Sequence, residues 1–340
     1  MTTFKEIRGT TIEVVSSDPS NPELGQIWYN SSSGTLKGYV FATVNAWASG
    51  GNMNTGRYNA GGAGASNTAA IYFGGQIIAP APSALLTNSE SYNGTAWTST
   101  PSLNTARGTQ GFGTQTAAVA AGGQAQPNPS ATTAVEEWNG TSWTSVTSKS
   151  QATVASSGAV GVETAGLVFG GAVGDGSPYV TATEEYDGSV WTSGGSMPGN
   201  AGAKAMAKGG AGTQTAALSM GGDDGAGSAG TNVFSYNGTS WTAGTSLPTA
   251  KSSCGGAGSQ TAALIFGGPS TSTLLWNGTS WTSNPTGLAT GRTNFSGCGT
   301  QTSALAAGGF PPTYSSGPGG LVDTEEWTGS QFSTKTITVS

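Results

Sequence analysis

Histidine is absent from the 340 residues. The chain therefore lacks the commonest metal ligand and the commonest general base. Charge is also scarce: Asp, Glu, Lys and Arg make up 8% of the chain, against about a quarter in an ordinary globular protein. Only 11 residues are Lys or Arg, they form no basic run, and the formal net charge is −6. Binding of nucleic acid by phosphate neutralisation has little to work with. No apolar run approaches the ~18 residues of a membrane span, so no membrane insertion is expected. The opening "MTTFKEIRGTTIEVV" lacks a basic segment followed by an apolar stretch, so no Sec-type signal peptide is expected. Two cysteines, Cys254 and Cys298, make no disulfide framework and are expected to be free, buried small residues.

What is plentiful is glycine, with 57 residues, and aromatics, with 10 Trp, 9 Tyr and 10 Phe. The aromatics argue for an ordered chain, because disordered segments lack them. They also recur at a fixed period. A Gly-Gly doublet ends an apolar run at Gly74-Gly75, Gly122-Gly123, Gly170-Gly171, Gly221-Gly222, Gly267-Gly268 and Gly308-Gly309, at spacings of 41 to 51 residues. "TQTAAL"-like runs precede most doublets. After a variable loop comes a first aromatic, at Tyr92, Trp138, Tyr186, Tyr236, Trp276 and Trp327. Five residues later comes a second, at Trp97, Trp143, Trp191, Trp241, Trp281 and Phe332.

Each unit reads as four short strands. The first starts near a basic residue (Arg57, Arg107, Lys204, Lys251 or Arg292), and the third unit, "SQATVASSG" from Ser150, breaks that pattern. The second runs into the doublet, and the third and fourth carry the two aromatics. Asn-Gly between the last two strands (Asn93-Gly94, Asn139-Gly140, Asn237-Gly238, Asn277-Gly278, with Asp187-Gly188 as an equivalent) predicts hairpins with type I′ turns. Four strands in about 47 residues is the signature of a β-propeller blade.

The Gly-Gly doublet after an apolar strand, the two aromatics and the "LPTAK"-like stretch with its basic residue resemble the kelch-repeat family over about residues 50–335. The resemblance implies an all-β propeller. It also implies that the doublet bends the backbone and that the tryptophan packs between blades. Residues 1–50 hold Trp47, 50 residues before Trp97, and are read as a degenerate first blade or docking segment. Residues 51–340 then supply six repeats and complete seven blades. The alternative is six blades and an N-terminal module. The C-terminal "TKTITVS" alternates like a strand and is expected to close a terminal blade.

The segment "DPSNPELGQIWYNSSSGTLKGY", Asp18 to Tyr39, resembles short modules in virion and tail-fibre proteins of tailed bacteriophages. That resemblance implies a virion protein, made in a host cytoplasm and released by lysis, with other virion proteins as partners.

Catalytic chemistry finds little support. Galactose oxidase has a kelch-type propeller, but its copper site needs histidine, so no cofactor is carried over. Glu136-Glu137, Glu184-Glu185 and Glu325-Glu326 recur at one repeat position. Recurrence points to architecture: one of each pair is expected to meet a basic residue and the other to face water. The basic residues themselves offer either a positive ring for an anion, or blade-to-blade pairing or capping of loop carbonyls. Asp223-Asp224 in "GGDDGAG" gives too few oxygens for calcium, so no metal is expected.

The loops between strands two and three vary most and share one face of a propeller. Function lives in loops on a rigid scaffold. Tyr179, Phe310 and Tyr314 offer stacking surfaces there, and Asp175, Asp223 and Asp224 offer acceptors for a host-surface glycan. The expectation is a non-enzymatic virion fibre, decoration or adhesin component. A glycan-binding, lectin-like propeller is the alternative.

Overall fold

The structure is a computed structural model that describes residues 12–42, 44–77, 84–125, 130–154, 157–174, 179–198, 209–222, 229–311 and 320–337. The chain divides into two compact units, residues 46–328 and a smaller one made of residues 1–45 and 329–340.

The large unit holds six four-stranded antiparallel sheets. Blade 1 comprises Gly61–Ser66, Ala69–Phe73, Ser89–Tyr92 and Trp97–Thr100, and blade 2 comprises Gly108–Gly113, Ala118–Ala125, Ser130–Trp138 and Trp143–Val146. Blade 3 is Gly158–Val162, Ala165–Phe169, Thr183–Tyr186 and Trp191–Ser193, and blade 4 is Gly210–Thr213, Ala216–Met220, Val233–Tyr236 and Trp241–Ala243. Blade 5 is Gly255–Gly258, Ala263–Phe266, Thr273–Trp276 and Trp281–Ser283. Blade 6 takes Ser296–Thr300, Ser303–Ala307 and Thr324–Thr328 from one end of the unit and Ala46–Ser49 from the other. The first strands of successive blades touch in cyclic order, and that of blade 6 touches that of blade 1, so the ring closes as a propeller.

Closure differs from the sequence expectation in two ways. Trp47 does not belong to a degenerate first blade; it lies opposite Trp327 and is the fourth-strand tryptophan of blade 6. The C-terminal strand Gln331–Thr336, with Phe332, pairs instead with Thr35–Ala42 in the small unit. Ring closure thus uses six sheets and not seven. An N-terminal strand fits the last sheet because it brings the same "W-x-S" alternation that Trp281–Ser283 supplies in blade 5.

Glycine makes the ring this tight. A Cβ on Gly256 would lie 2.6 Å from the carbonyl oxygen of Gly210, and one on Gly297 2.9 Å from that of Gly256. The first strands therefore pack backbone against backbone. In the doublets both residues have positive φ, as at Gly122 (60°) and Gly123 (116°), and a Cβ on Gly123 would sit 1.7 Å from the carbonyl oxygen of Gly108.

Between strands three and four the turns are longer than the type I′ expectation. Tyr92 pairs with Trp97, leaving a four-residue loop, and only Gly94 of the Asn-Gly pair has positive φ. The Asn93 side chain instead accepts the backbone N–H groups of Thr95 and Ala96, both at 2.9 Å. Asn139, Asp187, Asn237 and Asn277 do the same. The side chain mimics a turn of backbone, which is why Asn or Asp is needed.

The small unit is one four-stranded sheet: Glu13–Val15 runs parallel to Ile27–Asn30, which pairs with Thr35–Ala42, which pairs with Gln331–Thr336. On its exposed surface Asp18 gathers three side chains. One carboxylate oxygen accepts from Trp28 Nε1 (3.0 Å) and Asn30 Nδ2 (2.7 Å), and the other accepts from Lys37 Nζ (2.7 Å). The Lys37 ammonium, then Asn30 and Trp28, hold this carboxyl down at about 2.

Candidate functional site

The recurrent charged residues belong to the scaffold. Arg57 pairs with Glu90, Arg107 with Glu136 (2.5 Å) and Arg292 with Glu325 (2.6 Å), all buried. The arginines also cap carbonyls: Arg57 Nη1 donates to Gly74 and Asn88, and Arg292 Nη1 to Gly308 and Asp323. The same carboxylates accept backbone N–H groups from the segment leading into each blade, such as Asn104 (2.7 Å) and Thr105 (3.3 Å) on Glu136. Breaking such a buried pair costs about 3–5 kcal/mol, because it strands a charge.

Blade 3 departs from this pattern and keeps the charge. Thr153 stands where other blades have arginine, and Lys149, four residues earlier, reaches Glu184 at 3.1 Å. Sequence reading missed Lys149 because it occupies the position of Met53, Leu103 and Leu288, whose backbone N–H bonds it reproduces. In blade 5, Leu274 replaces the acid. Lys251 there donates to the carbonyl oxygens of Gly267 (2.8 Å) and Ser272 (2.9 Å), and burial pulls its pKa down. The positive-ring reading is thus replaced by buried pairing and capping; Lys204 lies outside the described residues.

The second acid of each pair is half-buried, so it keeps part of its surface in water, but it is also bonded. Glu137 accepts from Tyr186, Glu185 from Tyr236 and Glu326 from Tyr92, each in the next blade. Glutamines of "TQT" and "SQT" make a further set of links. Nε2 of Gln115, Gln214, Gln260 and Gln301 each donates to two carbonyls of the preceding blade, as from Gln260 to Ala217 (3.2 Å) and Tyr236 (2.7 Å).

The axis of the ring is a cavity of about 130 Å³ lined by the glycines and alanines of the first strands. Phe112, Val160 and Cys298 contribute its larger side chains. The Cys298 thiol is buried and pushed up to about 12, far from a reactive thiolate. Among the described residues no group of three or more Cys, Asp or Glu can hold a metal ion. The axis therefore presents backbone and little acid–base chemistry.

Strand one begins and strand two ends on the same face, which carries the variable loops. At its inner rim Gln76 Nε2 donates to Gln124 Oε1 of the next blade (3.2 Å). Gln110 sits beside the axis, 4% exposed, with its Nε2 on the Val154 carbonyl and its Oε1 buried without a partner. It fits because its cross-strand neighbour is Ala121, where blades 1, 3 and 5 pair a glycine with phenylalanine.

Of the predicted ligand-binding residues, Tyr179 and Phe310 are described, and Asp175, Asp223, Asp224 and Tyr314 lie outside the described residues. Tyr179 bridges to Ala172 through the backbone. Phe310 bridges to Thr293, and its ring lies 3.9 Å from that of Tyr58 at 33°. Phe310 and Tyr179 belong to blades 6 and 3, on opposite sides of the ring, and are not brought together. Sequence reading missed Tyr58 as the partner of Phe310, because the two lie in different repeats.

No family model matches the sequence, and no curated protein matches it. Among solved structures, one described as "Structure of YjhT" is similar with a TM-score of 0.61 and 14% identity, over 80% of this chain and 95% of that one. A likeness at that identity concerns the fold.

Proposed function

We propose that this chain is a non-enzymatic bacteriophage virion protein, a fibre, decoration or adhesin component, built on a kelch-type propeller. The small unit supports this most directly. It is the part that resembles phage virion modules, and Trp28, Asn30 and Lys37 of that motif meet on one residue, Asp18. In this reading the shared residues form one bonded set within a docking module. The large unit suits display: its recurrent ions and aromatics are consumed in holding blades together, and the variable loops rise from one face. Rigid scaffold and variable loops together favour recognition over turnover.

Mass spectrometry of gradient-purified particles from the source culture tests this reading. A fixed copy number relative to the major capsid protein is the expected result. Absence from particles, with the chain present in the lysate, overturns it and favours a free glycan-binding propeller.

A further inference from the structure

Blades 1 and 2 carry a built-in plug that blade 3 lacks. In blade 2 the carboxamide of Asn104 donates to the buried Glu136 carboxylate (2.9 Å) and to the Trp143 carbonyl (3.2 Å). In blade 1 the Asn54 carboxamide donates to the Trp97 carbonyl (3.3 Å). The backbone at this position is the same in blade 3, since Ser150 N donates to Glu184 at 2.6 Å as Asn104 N does to Glu136. But Ser150 has no carboxamide, so nothing from this position reaches the Trp191 carbonyl.

What remains is a cleft of about 200 Å³ lined by Ser150, Gln151, Thr183, Glu184, Ser193 and Ser196. A single water needs only about 10–15 Å³. The segment before strand one, the start of strand three and the end of strand four form its walls, which places it on the loop-bearing face at blade 3. Glu184 forms its floor, 4% exposed and neutralised by Lys149. Ser193 lies directly across the strand pair from Glu184.

We infer that this cleft binds one saccharide ring through a pair of adjacent hydroxyls. The plug defines the chemistry. In blade 2 its NH₂ supplies two donors to two acceptors, a carboxylate and a peptide carbonyl. In the blade 3 cleft Glu184 supplies the carboxylate and the serine hydroxyls of the lining the second acceptor, and a vicinal diol supplies the two donors. Three serine hydroxyls around the opening give and accept the remaining bonds of a polyol. The carboxylate is already paired, so a neutral ligand fits and a cation gains little. The space exceeds that of a carboxamide and accepts a ring. The assignment rests on reading the loop-bearing face as the binding face and names where on it a glycan sits.

The test is titration of the full chain with methyl α-mannoside, methyl β-galactoside and methyl α-rhamnoside, with acetamide as a separate arm, followed by amide chemical shifts. Saturable binding of at least one glycoside is expected, moving residues around Ser150 and Ser193. Ser150→Asn restores the plug of blade 2. It is expected to weaken binding about tenfold or more, the effect of losing a hydrogen bond to a charged group, while the unfolding midpoint holds or rises. Ser193→Ala, which leaves the cleft open, is expected to weaken binding several-fold and decides the matter if Ser150→Asn misfolds. Binding of no glycoside, binding of acetamide alone, or glycoside binding unchanged in both variants overturns the inference. Particle association is read separately, so failure of the cleft and failure of the virion reading are distinguishable.

Discussion

The Tyr186 hydroxyl of blade 3 donates a 2.5 Å hydrogen bond to Glu137 of blade 2. Around the ring, an acid precedes the first aromatic of a blade wherever the next blade's first aromatic is tyrosine: Glu137 with Tyr186, Glu185 with Tyr236, Glu326 with Tyr92. Where the next aromatic is tryptophan (Trp138, Trp276, Trp327), the position holds Ser91, Ser235 or Leu275. Those indoles donate to the carbonyl of a nearby glutamine, Gln115, Gln260 or Gln301. A phenol needs an acceptor from the neighbouring blade, whereas the indole finds one close by in its own blade.

Tyrosines 92, 186 and 236 all have raised pKa values, first from burial and then from the carboxylate each one touches; Tyr92 and Tyr236 are pushed up to about 12. The native state holds these protons more tightly than the unfolded chain. Their contribution is therefore complete below the ordinary value of 10 and lost as pH rises through about 12. Unfolding midpoints measured from pH 8 upward should fall steeply in the natural chain. They should fall less in Tyr92→Phe/Tyr236→Phe, which starts lower at pH 8.

Glu163 stands where blades 2, 4, 5 and 6 have the linking glutamine. Burial, and then the charge of Glu137, raise its pKa. A carboxyl held protonated more readily in the folded state loses stability as pH rises above its ordinary range. Glu163→Gln should supply the missing donor to the carbonyls of Ala118 and Trp138. The expected gain is about 0.5–1.5 kcal/mol at pH 7, shrinking toward pH 4, by denaturant titration at both values.

Trp97, Trp241 and Trp47 donate to threonine hydroxyls of the preceding blade: Thr324, Thr183 and Thr273. At the equivalent site Trp143 faces blade 1, which has Ser89, and both Trp143 Nε1 and Ser89 Oγ are buried without partners. Ser89→Thr should fix the hydroxyl rotamer and restore the bond, stabilising by about 1 kcal/mol. An unchanged midpoint, with no shift in the Trp143 indole proton, would show that the two atoms do not meet.

Trp241 lies 4.9 Å from the rings of both Phe169 and Tyr236 and is 6% exposed. Trp241→Ala should cost about 3–5 kcal/mol. A midpoint shift no larger than that of an exposed Ser→Ala change would remove this tryptophan from the blade 3–blade 4 core.

Asp18 stabilises the small unit above its ordinary pKa of 3.8, and this is lost as pH falls through about 2. Asp18→Asn should abolish the low-pH transition of the Trp28 indole resonance, leaving the resonances of blade tryptophans unchanged.

Repeat length, strand count per unit and the positions of the doublets and aromatics were legible in the sequence, because each is a local signal repeated in register. Local periodicity also announced the strands that hold Trp97, Trp143, Trp191, Trp241 and Trp281. It did not tell which end of the chain closes the ring. Ala46–Ser49 and Gln331–Thr336 both read as strands, and only tertiary pairing, with Trp47 opposite Trp327, assigned the first to blade 6. It did not tell what the second acid of each pair touches, since Glu137 and Tyr186 lie 49 residues apart. Nor did it show that Lys149 reaches Glu184 from a position where other blades carry an apolar residue. Composition and period determined that this chain builds blades. Which charges, hydroxyls and strands from different blades meet was decided by the closed ring, because only closure brings residues of separate repeats within hydrogen-bonding distance.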